Sequence, residues 1–243
     1  HLSRQSTGRT ALRMRYYGKT RKIDPMPESA DRRSSLFQVP IRSLGPGHRG
    51  KIAEHLLALE PHDRYLRFGY MASDAQVLQY VEKLNFERDE VFGIFNRWLE
   101  LIAMAHLAFS DQPGSTACAE FGVSVAKRAR GRGYGARLFD RAVMHARNEG
   151  VELLFVHALS ENQAMLKIAR NAGATLERDG TETEAHLRLP PATLESRVTE
   201  LVEERMAETD YQLKVQARNF WEFIRGLQEV RQGVRDSRGQ SAA

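Results

Sequence analysis

The 243 residues contain one cysteine, Cys118. An intrachain disulfide is therefore excluded, and the expected setting is a reducing one, the cytoplasm. Among the eight histidines there is no HExxH, and no paired-cysteine spacing exists, so no metal is expected. Long apolar runs are missing as well. The longest nearly uncharged one, residues 101–110, is far too short to cross a bilayer. The GxxxxGK[ST] of a nucleoside triphosphatase loop does not occur. Nor does the GxGxxG of a dinucleotide fold, because the glycine-rich turn of this chain runs G-R-G-Y-G, with no acidic residue suited to a ribose after the next strand. What remains is 42% hydrophobic and 28% charged, an ordinary balance for a globular chain that buries one sizeable core with extensions, or two small ones.

The chain is organised around Ala126–Arg137, AKRARGRGYGAR. Before it, Cys118–Val125 (CAEFGVSV) is apolar and β-branched and reads as a strand buried on much of both faces. After it, Leu138, Phe139, Ala142, Val143 and Ala146 recur at helical spacing. A strand thus feeds a glycine-rich loop that opens a helix. Gly131, Gly133 and Gly135 remove side chains where a backbone must approach a ligand, and the first N–H groups of the helix have no internal partner. Lys127, Arg128, Arg130, Arg132 and Arg137 add formal charge to the partial positive charge of the helix start. The guest such a turn suits is a phosphate or pyrophosphate. The plainer alternative is a tight turn with solvated arginines.

Residues 1–34 carry nine Lys and Arg against three Asp and Glu, a net +6, whereas the whole chain is +5. The basic character therefore belongs to this arm, which is expected to be flexible: either a solvated leader or a nucleic-acid contact. A short strand over Leu36–Arg42 follows, then helices over His48–Leu59 and Asp74–Leu84 with the segment Arg64–Phe68 (RYLRF) between them. Strands are expected near Val91–Phe95 and Leu99–Phe109, joined at Asn96-Arg97, and with Cys118–Val125 they make three sequential antiparallel strands. Past the central helix, Gly150 marks a stop and Val151–Ala158 another strand, so strand, helix and strand imply a right-handed crossover and a parallel pair. Asn162 starts a helix that Gly173 ends, and Ala174–Arg178 with Glu184–Leu189 form a closing hairpin. After Pro190-Pro191 two apolar stripes predict two helices, Leu194 to Met206 and Leu213 to Val230, with a frayed end over Gln232–Ala243. These helices cover the core, pair as a hairpin or form a homodimer surface.

RGRGYGARLF resembles the pyrophosphate loop of the GNAT acyltransferases, Gln/Arg-x-x-Gly-x-Gly/Ala, which Arg130, Gly133 and Gly135 match in order. RYLRF and the opening QVPIRSL resemble the front half of bacterial protein-acetyltransferase GNAT domains. The resemblance covers roughly Leu36–Leu189 and implies an α/β (α+β) fold: a mixed, mostly antiparallel sheet flanked by helices, with the parallel pair splayed at the ligand site and a helical C-terminal extension. The implied organisation is a basic arm over 1–34, an acetyltransferase domain over 35–190 and the helical extension over 191–243.

The resemblance further implies acetyl-CoA as co-substrate and an amine acceptor, a protein lysine or a small molecule. An amine with pKa near 10.4 must lose a proton before it attacks a thioester. Ala119-Glu120-Phe121 matches a family glutamate in that role, so Glu120 is the expected general base, acting directly or through water, with burial raising its pKa; the alternative is a strand-end glutamate paired to an arginine. The cofactor-binding set implied is Val123 and Val125, whose backbone N–H groups would serve the oxyanion, with Arg130, Gly131, Arg132, Gly133, Tyr134, Gly135, Ala136 and Asn162 around the CoA. Where the family often has a tyrosine as general acid this chain has Ala169, and Ala174 replaces the usual aromatic after Gly173. Ser160, Tyr134 or water are the remaining proton donors. Two other functions stay open: an acyl-CoA-binding regulatory or scaffold protein, and a nucleic-acid binder using the basic arm.

Overall fold

Seven strands form one sheet in the order β1-β2-β3-β4-β5-β7-β6. They are β1 (Arg42–Ser43), β2 (Glu90–Phe95), β3 (Leu101–Phe109), β4 (Cys118–Val125), β5 (Leu153–Leu159), β6 (Thr175–Asp179) and β7 (Glu182–Arg188). This is a computed structural model, and it describes residues 39–110 and 117–240. The basic arm, the start of the expected first strand and the segment 111–116 lie outside the described residues. All pairings are antiparallel except β4 with β5, which is parallel, as a strand, helix and strand crossover requires.

That parallel pairing is short. Its register runs only from Cys118↔Leu153 to Glu120↔Phe155, whereas β4 stays paired with β3 as far as Val125↔Ala103 and β5 stays paired with β7 as far as Leu159↔Glu182. Beyond Glu120 the two strands therefore part, and the backbone groups on the β5-facing edge of 122–125 have no strand partner. The helix α4 (Tyr134–Asn148) starts at this opening.

Each sheet face has its own core. On one face Phe121, Leu154 and Ala185 meet Leu138, Phe139 and Ala142 of α4 and Met165, Leu166 and Ala169 of α5 (Gln163–Asn171). On the other, Val91, Leu101 and Met104 meet α1 (Arg49–Leu57) through Ile52 and Leu56 and α3 (Asp74–Lys83) through Val77 and Val81. Ser73 caps α3, its hydroxyl accepting from Gln76 N–H at 3.3 Å while Gln76 Oε1 accepts from Ser73 N–H at 2.9 Å. This reciprocal capping box is why the element starts where it does.

Two local expectations are corrected, and one unassigned segment gains a structure. RYLRF, which the sequence pattern left without an element, is the body of a helix, α2 (Pro61–Phe68), opened by Pro61 and stopped by Gly69 at φ 78°, because proline suits a first helical position and glycine tolerates the left-handed conformation. The β2–β3 turn extends to Glu100: Asn96 Oδ1 accepts from the N–H groups of Trp98 and Glu100 at 2.9 and 3.0 Å, and Leu99 takes a positive φ of 59°. The C-terminal pair of helices is one helix, α6 (Leu194–Gln240), since no glycine or proline interrupts residues 192–225.

The apolar stripe of α6 does not cover the core. Leu194, Val198, Leu201, Val202, Met206 and Leu213 are 51–84% exposed. The face that docks is mostly polar and runs through Ser196, Glu200, Ala207, Tyr211 and Lys214. Glu200 Oε1 accepts from His145 Nδ1 at 2.6 Å, Glu200 also accepts from Asn148, and Arg141 Nη1 lies 2.9 Å away as an ion partner. Arg42 pairs with Glu208 at 2.9 Å and stacks 3.9 Å over the Tyr211 ring. Packing favours this face because Arg141, His145 and Asn148 on α4 are half-buried or buried and need partners.

Burial opposes charge on Glu200, but the hydrogen bonds from His145 and Asn148 outweigh it and hold its pKa at about 2, down from 4.5. Burial also opposes charge on His145, and Glu200 outweighs it and raises the imidazole above 6.5. A lowered acid stabilises above its unfolded pKa and loses this as pH falls through its folded one; a raised imidazole stabilises below 6.5 and loses this as pH rises through its folded value. Docking of α6 is thus expected to be firmest between about 4.5 and 6.5. Glu200→Gln should cost about 2 kcal/mol and flatten the profile, read by thermal melts across pH. An unchanged melt profile would refute the assignment.

Candidate active site

The parted strands open a cleft of about 520 Å³. One wall is α2 (Asp63, Leu66, Arg67), the floor is Val123, Ser124 and Val125 of β4, and the far wall is Asn162, Met165 and Ile168 at the start of α5. The glycine-rich loop closes one end through Ala129, Arg130, Gly131 and Gly133 to Ala136.

The loop geometry follows from its glycines. Gly131 and Gly133 have φ of 73° and 76°, a region that costs other residues about 1–2 kcal/mol. Gly133 is the N-cap of α4, so the free N–H groups of the first turn face the cleft end. Gly135 keeps the slot open: a Cβ there would sit 3.3 Å from Ile168 Cδ1 and 3.9 Å from Val125 Cγ2, between the floor and the far wall, so a longer side chain would grow into it. The site therefore offers a helix N-terminus at one end and a backbone-lined, largely apolar slot leading from it. A long ligand with a phosphorylated head and an extended tail fits that outline.

Of the sequence-derived site residues, Val123, Val125, Arg130, Gly131, Gly133, Tyr134, Gly135, Ala136 and Asn162 line this one cleft. Arg132 does not; it lines a neighbouring depression with Arg128, Trp98 and Lys214. Glu120 also stands apart from the lining. Its side chain is 58% exposed, so the expected burial is absent, and the group beside it is His157, with Nδ1 at 3.3 Å, rather than an arginine. His157 Nε2 in turn lies 3.4 Å from Glu184 Oε1. Asn162 Oδ1 accepts from Met165 N–H at 3.2 Å and caps α5. Ser160, outside the lining, has its Oγ 2.9 Å from Thr183 Oγ1, whereas the Tyr134 hydroxyl is in the lining and makes no hydrogen bond among the described residues.

The loop cations are less free than their number suggests. Arg130 forms an ion pair with the buried Asp63 and donates Nε to Val125 O at 3.3 Å. Lys127 pairs with Glu60 at 2.7 Å and Arg128 with Glu100 at 2.8 Å. Two of these acids flank or begin α2, so the loop's own charge ties that helix across the cleft. These partners are more than 25 residues away in the chain, and nothing local in the sequence announces them.

Also unforeseen is His55. Burial drives its pKa from 6.5 down to about 4, so it is neutral near pH 7. Nδ1 lies 2.9 Å from Leu101 O and must carry the hydrogen, which leaves Nε2 to accept from Ser124 Oγ at 2.8 Å. The Ser124 hydroxyl is thereby spent on the sheet interior, and the floor of the cleft presents backbone.

The sequence pattern of the Acetyltransferase (GNAT) family matches residues 46–174, more than half of the chain. Among solved structures, the GNAT domain of S. lividans PAT is similar, with a TM-score of 0.52 and 19% identity over 61% of this chain and 89% of that one. A GNAT-family acetyltransferase from Streptococcus pneumoniae superposes with a TM-score of 0.51 and 14% identity, covering 62% of this chain and 98% of that one. Another from Staphylococcus aureus Mu50 gives 0.50 and 12%, with the same coverage. These likenesses are likenesses of fold. No curated protein matches the chain.

Proposed function

Because the chain belongs to the Acetyltransferase (GNAT) family, we propose that it transfers an acetyl group from acetyl-CoA to an amine, a protein lysine or a small molecule. The observation that carries the reading is the parting of β4 from β5 with the N-terminus of α4 at its mouth. No group of three or more His, Cys, Asp and Glu among the described residues is arranged to hold a metal, and no described helix is long and apolar enough to cross a membrane.

In this proposal the pyrophosphate lies against the first N–H groups of α4, and Arg130 exchanges Asp63 for phosphate oxygens. The pantetheine follows the slot between β4 and α5 past Asn162. The thioester carbonyl meets the backbone N–H groups at Val123 or Val125, which receive the oxyanion. Glu120 takes a proton from the acceptor ammonium, directly or through water, with His157 beside it. The free amine attacks the carbonyl carbon, the C–S bond breaks as the attached nitrogen releases its surplus proton to water, and the CoA thiolate leaves; a thiol of pKa near 8.5 departs tolerably as thiolate, to be protonated by Tyr134 or water. The proposed organisation is an arm over 1–34, a catalytic domain over 35–190 and an extension over 191–243.

A second reading, a regulatory acyl-CoA-binding protein without turnover, is favoured by the place of Glu120 outside the cleft lining and by Ala169, fully buried where an acid would stand. Calorimetric titration with acetyl-CoA and CoA, followed by thiol release in the presence of lysine peptides and small amines, separates the two. Binding with amine-dependent release is expected. Binding without release supports the regulator, and no binding overturns both. The exposed stripe on α6 further supports self-association through that helix. Sedimentation should then show a dimer that Val198→Glu with Val202→Glu converts to monomer; a monomeric unaltered protein would end this part of the reading.

A further inference from the structure

Arg67 reaches from α2 across the sheet face that carries Glu120, Gly122 and Ser124, and it lines the cleft beside Ser124. Its guanidinium rests on Gly122: a Cβ at that position would lie 2.9 Å from both Cζ and Nη1. A glycine is therefore required in β4 for this arginine to occupy its place. Nη2 donates to Tyr80 Oη at 2.8 Å, and the ring centroids of Phe68 and Tyr80 lie 5.2 and 5.4 Å from Cζ. The side chain is fixed from several directions.

What it lacks is a counter-charge. Nε is buried with no hydrogen-bond partner, and among the described residues no carboxylate forms an ion pair with Arg67, whereas Arg130 in the same cleft is paired with Asp63, and Lys127 and Arg128 of the adjoining loop with Glu60 and Glu100. The groups it touches, Tyr80 and Phe68, are uncharged, and the carboxylates whose charge reaches Tyr80 and His106, Asp89 and Glu120, each have nearer partners. Tyr80 Oη accepts from Arg67 and lies 2.9 Å from His106 Nδ1, and His106 Nε2 lies 3.2 Å from Asp89 Oδ2. Asp89 is further spent on Arg88 and on Phe109 N–H. Burial first, then the Arg67 charge, lowers the pKa of His106, and the same cation contributes to the lowering of His55. Glu120, the acid on the strand that Arg67 rests on, lies two residues from Gly122, about 7 Å along β4, and pairs with His157 instead. A held, half-buried guanidinium without an anion is costly to keep. It is also preorganised for a carboxylate.

We propose that Arg67 is the anchor for a carboxylate on the substrate of this cleft. The inference rests on the acyl-CoA reading above and narrows its substrate class. The carboxylate has two sources: the far end of a dicarboxylic acyl group, or the acceptor, an amino acid whose amine then lies within reach of Glu120.

The test measures both sources with the full chain. In one arm succinyl-CoA is compared with butyryl-CoA, a neutral acyl group of similar length. In the other, with acetyl-CoA, free α-amino acids are compared with their α-carboxamides. In one of the arms the unaltered protein should favour the acid about tenfold or more in kcat/KM, mainly through KM. Arg67→Gln should bring that ratio to near unity, and Arg67→Lys should leave part of it, since lysine keeps the charge but not the fork. Equal handling of acid and neutral compounds in both arms by the unaltered protein would overturn the proposal, and this comparison needs no variant to fold. A preference that survives Arg67→Gln would also overturn it. If CoA binds and no preference appears, this inference fails alone; if CoA does not bind, the acyltransferase reading fails with it.

Discussion

Glu120→Gln is expected to lower acetyl transfer to an amine about 100-fold or more near pH 7 while acetyl-CoA binds as tightly as before. The carboxamide has the shape of the carboxylate but cannot take a proton, and general-base catalysis contributes roughly 10²–10⁴ in rate. Affinity is expected to be untouched because Glu120 is not part of the cleft lining. Stability should hardly change, since the side chain is 58% exposed and such surface substitutions fall within about 0.5 kcal/mol. The deficit should shrink as pH rises toward the acceptor's own pKa of about 10.4, where the amine arrives deprotonated. Thiol release across pH, with calorimetry on the same samples, reads all three. Turnover by the Gln variant within a few-fold of the unaltered protein would remove Glu120 from the chemistry, and His157 would be the next residue to replace.

Gly135→Glu should raise the Kd for CoA by about 100-fold, a loss near 2.7 kcal/mol. The new side chain starts 3.3 Å from Ile168 and 3.9 Å from Val125, so it grows into the slot between α5 and the strand floor. It also sets a negative charge at the helix end that would receive phosphate. The fold should survive, because Gly135 has an ordinary helical backbone and an acid in a first turn favours the helix. Gly135→Ala is the matched control. One methyl group asks only a small shift of the Ile168 side-chain tip, and CoA affinity should change by no more than about threefold. Undiminished binding by the Glu variant would place the ligand elsewhere.

Much of the fold is legible from local pattern. The apolar alternation of Cys118–Val125, the glycine-rich turn and the helical spacing from Leu138 to Ala146 mark β4, the loop and α4, and Asn162 and Gly173 bracket α5. Local pattern falls short where its signal is overridden or too brief. The helix around RYLRF has its stops in Pro61 and Gly69 but spans only about two turns. The stripe on α6 is apolar, yet the helix docks by Glu200, Ala207 and Tyr211, because Arg141, His145 and Asn148 on α4 demand partners and the core is already filled by α1, α3, α4 and α5.

By itself, then, the sequence determined the strand, loop and helix that leave an open helix N-terminus at one end of the cleft, because glycine at positive φ and helical periodicity are properties of a few neighbouring residues. Only the tertiary structure decided how the charges around that loop are used. The pairing of Arg130 with Asp63, of Glu120 with His157, and the seating of Arg67 on Gly122 each join residues on different elements. Coulomb attraction and steric fit act through space, and sequence separation carries no record of them until the sheet has brought the partners together.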